Sequence, residues 1–509
     1  MSKLLLSLLL LSFTIIFFPA AYGQSDSLVR LSDLKYQSVF EKTAIHNFVQ
    51  YKRDTFNLFL AIDKNMTNKE ASWFRNVYES VYPELESKKV QSKKLNRRVK
   101  LIYSIVHNKF LKKYEEIEYF PAIFQTGNYN CVTASILYAL IFEHLKIPFK
   151  AQVSLSHVYL VANPGKESVV IETTNPGFEQ QVFNGVFKEQ YVDYLKSLKQ
   201  ISASELRNKS TAELFEEKFK QVRVAKFNNL AGFQYYNMGA TQWENHNYTD
   251  AVSLFQKAYF FDPNNQIRIL LYNSLVKTIK GCRFSKVSDI DYLAQLSRFG
   301  MMNIDTLGGI FGNIIHRHLQ FTNKEAFCDS LDKRLTSETS ETALIDEFNF
   351  IYNLQMSYHY QPSDKIEQYV AGALAIKGNN RDARIMMANY LNRKLFSISD
   401  PDVLMDTIHK MGLRLHNDVA TQILLNYRLN AYLQKAIYYF ARNRIPEGNQ
   451  YLLEFEKDCQ TPVKSEMLRS MIERTYNAIA QYYEIKGDKT EAGSLLKRKS
   501  KYVPDRRLK

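Results

Sequence analysis

From Val132 to Leu145 the chain reads VTASILYALIFEHL, apolar on nearly every side of a helix rather than along one stripe. A helix of that kind has no face to offer water, so it must be central and enclosed by other elements. Lys146-Ile147-Pro148 marks its end. Two β-like runs follow, Phe149–Leu155 and His157–Ala162, the second closed by the turn Asn163-Pro164-Gly165. A third run, Ser168–Glu172, is rich in β-branched residues and stops near Asn175-Pro176-Gly177, with a helical segment expected around 189–199. Cys131 stands at the start of the buried helix, after polar Asn128-Tyr129-Asn130. There the first turn's N–H groups and the macrodipole favour a thiolate. A histidine and a carboxylate on adjacent strands, His157 and Glu172, can then serve as base and orienter.

Beyond about residue 200 the pattern changes: no strand periodicity is visible, and a repeat emerges. Residues 232–265 match the tetratricopeptide template of about 34 residues. Tyr235, Met238, Gly239, Tyr248, Ala251, Phe255, Ala258 and Pro263 take its large, small, aromatic and proline positions. A second match runs over 473–506, with Tyr476, Ile479, Ala480, Tyr483, Gly487, Ala492, Leu496 and Pro504. Between them, 368–380 and 427–455 read as repeat helices and 282–345 fits poorly. Stacked repeats bury each unit against its neighbours, so the expectation for 201–509 is an all-α tetratricopeptide-like solenoid.

The N-terminus reads as a secretory signal peptide over 1–23: Lys3, an apolar run Leu4–Phe18, then Ala21-Tyr22-Gly23. Cleavage is expected before Gln24, which implies a secreted or periplasmic protein with no transmembrane segment after removal. Residues 24–94 read as a helical region, with apolar spacing continuing through Trp73–Tyr82 and Val99–Phe110 and breaks at Pro83 and Pro121. Four cysteines in 509 residues cannot form a disulfide framework. With Cys131 reserved, Cys282, Cys328 and Cys459 allow one bridge at most, its pairing open. The formal net charge of +15 is densest at Lys88-Lys89, Lys93-Lys94, Arg97-Arg98 and Lys100, expected on a helix. It implies at most weak attraction to anionic surfaces. There is no nucleic-acid-binding motif.

The string N-C-V-T-A-S-x-L-Y-x-L, then L-x-I-P, S-H-V-Y-L and V-V-I-E-T-T, resembles the transglutaminase-like, papain-like core. The resemblance covers about residues 95–200. It implies an α+β domain, a helix packed on a small antiparallel sheet, in a superfamily that includes transglutaminases, peptide N-glycanases and bacterial thiol proteases and amidases. Carried over, it makes Cys131 the nucleophile, His157 the general base and acid, and Glu172 the orienting carboxylate, with Asn175 as rival orienter. Two departures stand out: Glu172 occupies a position where the family usually has Asp, and the interval from Cys131 to His157 is short. Gln125, ahead of the cysteine, is a candidate oxyanion donor.

Other chemistries find no support. There is no Walker loop, no G-x-G-x-x-G after a strand, no H-E-x-x-H and no C-x-x-C. His316 and His318 would face different sides of a helix, and no cofactor or metal is expected. His46, His107 and His144 read as structural. Two functions remain: an exported thiol enzyme acting on amide bonds, with the repeats recruiting a protein or peptide, or a non-catalytic scaffold carrying a silent transglutaminase-like module.

Overall fold

The computed structural model describes residues 28–51, 54–153, 158–164, 168–171, 192, 201–219, 223–322, 324–459, 463 and 465–503. The expected leader and its cleavage point, His157, Glu172, Asn175, Pro504 and nearly all of 189–199 lie outside the described residues. The chain is mostly helical, with one small antiparallel sheet. It divides into two compact units, the first ending at Arg283 and the second beginning at Phe284.

The first unit opens with α1 (Val39–Tyr51), α2 (Thr55–Leu60), α3 (Asn68–Glu79), α4 (Tyr82–Ser87) and α5 (Leu95–Phe110). Pro83 marks the break between α3 and α4 and sits in the first turn of α4, where a missing N–H costs nothing. The basic run does not share one helix: Lys88 caps α4, Lys89 adopts a left-handed conformation, and Arg97, Arg98 and Lys100 belong to α5. A parallel pair, β1 (Lys113–Tyr114) and β2 (Asn128–Tyr129), brackets the short α6 (Ala122–Gln125) and leads into α7 (Cys131–His144).

Helix α7 is buried without a break from Val132 to Phe142. Its ends are defined chemically. At the C-terminus Lys146 turns left-handed at φ +55°, and the Lys146 and Ile147 N–H groups donate back to the Glu143 and Phe142 carbonyls at 3.1 and 2.8 Å. This is a Schellman closure, followed by Pro148. The chain then enters β3 (Phe149–Val153), β4 (Val158–Ala162) and β5 (Val169–Ile171), after which come α8 (Ala203–Asn208), α9 (Thr211–Phe219) and β6 (Arg223–Ala225). The sheet order is β5-β4-β3-β6, antiparallel throughout, with Phe149 opposite Ala162, Ala151 opposite Leu160 and Leu160 opposite Ile171. Phe149 meets Phe142 of α7 at 6.1 Å between ring centres. The sheet face carrying Phe149, Ala162, Leu160 and Val158 therefore lies on the buried helix. Strand β6 contradicts the expectation of no strand beyond residue 200. Three residues of Arg-Val-Ala are too few to show a period, and β3 supplies the partner.

The repeat-like pair α10 (Asn229–Glu244) and α11 (Tyr248–Phe261), with α12 (Asn265–Gly281) after it, belongs to this first unit rather than to the second. Polar locks explain why. The buried Gln234 amide donates to the Phe59 carbonyl at 3.2 Å and accepts from the Phe120 N–H at 2.9 Å, joining α10 to α2 and to the start of α6. The fully buried Lys257 of α11 donates to Glu41 of α1 at 2.7 Å, and the Tyr235 hydroxyl donates to the same oxygen at 2.9 Å. Arg223 of β6 forks onto Asp262 at the end of α11. Within the pair, a Cβ on Gly239 would meet the Phe255 ring at 2.8 Å, so the small residue sets the closeness of α10 and α11.

The second unit is helical: α13 (Asp291–Ser297), α14 (Ile304–Thr322), α15 (Glu325–Glu338), α16 (Thr342–His359), α17 (Ile366–Ile376), α18 (Arg381–Phe396), α19 (Pro401–Gly412), α20 (Asp418–Ala441), α21 (Ile445–Asp458), α22 (Glu466–Ile485) and α23 (Lys489–Tyr502). The poorly fitting stretch 282–345 is thus helical among its described residues. Contacts run from each helix to its near neighbours, which is compatible with a solenoid. Helix α20 serves two cores: Leu424 and Tyr427 join the core of α17–α19, and Leu433 and Phe440 join that of α21–α23. Leu495 fills the core in α23, whereas Leu496, expected at a packing position, is 37% exposed. A one-residue shift on a helix turns a side chain by about 100°, enough to carry it from core to solvent.

The buried pair yields one prediction. Lys257→Met leaves Glu41 uncompensated and lowers stability by about 3–5 kcal/mol in denaturant unfolding, and adding Glu41→Gln recovers most of the loss. A second prediction concerns Asp332 of α15, whose pKa burial and the neighbouring Asp329 raise to about 7. The folded carboxyl keeps its proton where the unfolded one has lost it, so stability declines as pH rises from about 4 to about 7. Asp332→Asn should stabilise the protein by about 1–3 kcal/mol at pH 8, an advantage that fades toward pH 4 in the same unfolding experiment.

Candidate active site

Cys131 is the first residue of α7, and the chain reaches it through a fixed approach. Gly127, at φ +80°, lets its carbonyl accept from the Lys112 N–H at 2.8 Å. A Cβ there would lie 2.7 Å from the Lys112 side chain, so glycine suits both the turn and the close approach. The pairing of Tyr114 with Tyr129 and the Glu115 N–H on the Tyr129 carbonyl at 2.9 Å then hold the residues just before the cysteine.

Asn130 is the N-cap. Its Oδ1 accepts from the Thr133 N–H at 3.0 Å, and Thr133 Oγ1 accepts from the Asn130 N–H at 2.8 Å. The Asn130 amide nitrogen donates in turn to the Glu118 carbonyl at 3.0 Å, and both cap residues are buried. This reciprocal cap was not singled out from the sequence, although N-C-V-T carries its spacing: a polar acceptor followed three residues later by a hydroxyl.

One turn further along, the Ser135 hydroxyl donates to the Val158 carbonyl at 3.3 Å, docking the start of β4 on α7. Ser135 and Cys131 are four residues apart and share a helix face. The strand therefore approaches α7 on the side that carries the cysteine. His157, the residue before Val158, and Glu172, the residue after Ile171 of β5, lie outside the described residues, as does Asn175. Gln125 is described: it ends α6 with its side chain exposed.

No disulfide joins any of the four cysteines. Burial, with help from Asp329 and Glu325, pushes the Cys328 thiol up to about 12, and burial raises Cys459 to about 11. Neither of these two is a thiolate near neutrality; Cys131 is half-buried, as are Cys282 and Cys459.

The other histidines have structural surroundings. His144 stacks on Tyr82 with ring centres 3.9 Å apart, and His46 hydrogen-bonds Tyr36 at 3.0 Å. His107 lies between the Tyr103 ring, stacked at 5.6 Å, and the edge of Tyr129 at 6.1 Å, and burial lowers its pKa. That environment makes it part of the packing behind β2. No group of histidine, cysteine and carboxylate side chains suited to a metal occurs among the described residues.

Comparison with family models, with curated proteins and with solved structures finds no match for this chain.

The cap supplies a direct test. Asn130→Ala removes an acceptor for the Thr133 N–H and leaves the Glu118 carbonyl unpaired, and should lower stability by about 1–3 kcal/mol in denaturant unfolding.

Proposed function

We propose that this protein is an exported thiol enzyme acting on amide bonds, of the transglutaminase-like type. The Cys131 thiolate attacks the carbonyl carbon, His157 passes a proton to the departing amine as the C–N bond breaks, and a thioester remains on Cys131. Water resolves it in a protease or amidase, and a second amine resolves it in an acyl transferase. Glu172 orients the imidazole, and tetratricopeptide-like repeat helices recruit the protein or peptide substrate. The observation that carries this reading is the half-buried Cys131 at the capped end of an enclosed helix, on the face where β4 docks. The reading also makes a demand. The β4 side chains turned toward α7 are the even-numbered ones, Val158, Leu160 and Ala162, so His157 meets the thiol only with a break in strand alternation before Val158.

A non-catalytic scaffold is the second reading. It is favoured by a hollow of about 510 Å³ in the second unit, bounded by α17, α18 and α19, with Lys394, Arg414 and Tyr390 along it. Among the described residues no helix is long and apolar enough to cross a membrane, which suits release after export.

Alkylation by iodoacetamide across pH, with the modified peptide mapped by mass, separates the two. A working thiol–imidazole pair keeps Cys131 reactive well below the ordinary thiol pKa of about 8.5. His157→Ala then moves the profile to that ordinary value, with Glu172→Gln falling between. Identical profiles in the parent and His157→Ala proteins, both near the ordinary value, would leave the scaffold.

A further inference from the structure

The basic run of the sequence separates in three dimensions into residues with a structural task and residues without one. Arg98 turns inward, and its guanidinium donates to the Leu145 carbonyl at 2.7 Å, where Gln91 also donates, so that it closes the C-terminal end of α7. Lys109 stands 3.9 Å from Glu84, the carboxylate nearest in sequence to Lys88 that makes an ion pair. Of the other six cations of the run, Lys88, Lys93, Arg97 and Lys100 line a hollow of about 390 Å³ with Leu101 and Ser104, while Lys89 and Lys94 stay outside it. Arg97, Lys100, Leu101 and Ser104 recur at three- and four-residue spacing, one stripe along α5. Lys88 and Lys93 come from the end of α4 and the turn beyond it. None of the four cations makes an ion pair among the described residues.

Such an arrangement is self-repelling. Like charges on one helix face destabilise each other, and nothing described within the hollow compensates them. The hollow in the second unit shows the ordinary alternative: there Lys394 meets Asp364, Lys410 meets Asp406 at 2.6 Å, and Arg414 meets Glu367 at 3.0 Å. Charges lining a surface depression in this protein are thus neutralised internally in one case and left uniformly positive in the other.

We infer that the hollow between α4 and α5 is a binding site for a compact, multiply charged phosphate anion. The hollow is open to solvent, as suits a small, strongly hydrated anion held at the surface by charge. Arg97 offers the planar fork that matches two phosphate oxygens, the three lysines supply point charges around it, and the Ser104 hydroxyl can donate to a further oxygen. The anion could arrive free, as an oligophosphate, or as the phosphomonoester headgroup of a lipid; the chemistry of recognition is the same. This inference does not depend on the thiol chemistry.

The test uses the full chain and inorganic pyrophosphate, with binding read by calorimetry and by the rise in unfolding temperature at constant ionic strength. A charge-matched control, K64Q/K69Q/K280Q/K497Q, removes four cations elsewhere on the surface. Pyrophosphate should bind the parent and the control alike, and K88Q/K93Q/R97Q/K100Q should weaken it roughly tenfold or more. The milder R97Q/K100Q protein should show an intermediate loss, which keeps the test sound if the fourfold variant folds poorly. Sedimentation with phosphatidylcholine vesicles containing phosphatidic acid, against vesicles without it, distinguishes the sources. Binding to those vesicles alone, lost in the fourfold variant, supports the site with a lipid headgroup as ligand. No binding of either probe, or equal binding by the fourfold variant and the control, overturns the proposal.

Discussion

A helix without a polar face is the constraint from which the first unit follows. With Val132 through Phe142 buried on every side, α7 needs a sheet on one flank and helices on the others. The first comes from β3 and β4, with Phe149 against Phe142 and Ser135 against the Val158 carbonyl. The others come from α5, whose Tyr103 stacks on Tyr138 at 5.5 Å, and from α10. Apolar burial of this extent is the main favourable term in folding, but it is not directional. The direction is supplied at the two ends, by the Asn130–Thr133 cap and by the left-handed Lys146, which orient the chain entering and leaving the helix.

Enclosure of α7 explains why the Cys131 residue can be both anchored and accessible. The helix start must carry its free N–H groups somewhere they are satisfied. The cap takes one of them while the half-buried thiol lies at the surface of the core. The same economy appears at the other end, where Arg98 answers the Leu145 carbonyl. One member of a basic cluster is thereby withdrawn for structure, and its neighbours are left around an open hollow. A structural requirement of α7 and a binding property of α5 thus come from adjacent residues of one helix.

Polar contacts inside the core decide where the first unit ends. Gln234 satisfies backbone groups of Phe59 and Phe120, and Lys257 meets Glu41 with neither side chain exposed. Unlike apolar contacts, buried polar groups tolerate no slippage, because a partner lost is a desolvated group unpaid. They bind α10 and α11 to the N-terminal helices, although by pattern these two helices look like the opening repeat of the array that follows. In the second unit the helices meet chiefly their neighbours, and α20 is long enough to close one core and open the next.

Much of this organisation was legible in the chain itself. The fully apolar run announced a buried helix, Lys-Ile-Pro its end, and three β-like runs the strands after it, because hydrophobic period and turn chemistry are local properties. The exposed Leu496, the strand at Arg223–Ala225, the splitting of the basic run and the compact division after Arg283 were not legible. Leu496 turns on a one-residue helical phase, and the other three depend on a partner distant in sequence: β3 for β6, Glu41 for Lys257, Leu145 for Arg98. Sequence by itself determined that the run from Val132 is a helix that must lie inside and that three extended segments follow it. Only the tertiary structure decided which helices share a core and which cations are spent on the fold, because long-range pairing is set by geometric fit between surfaces that no local pattern encodes.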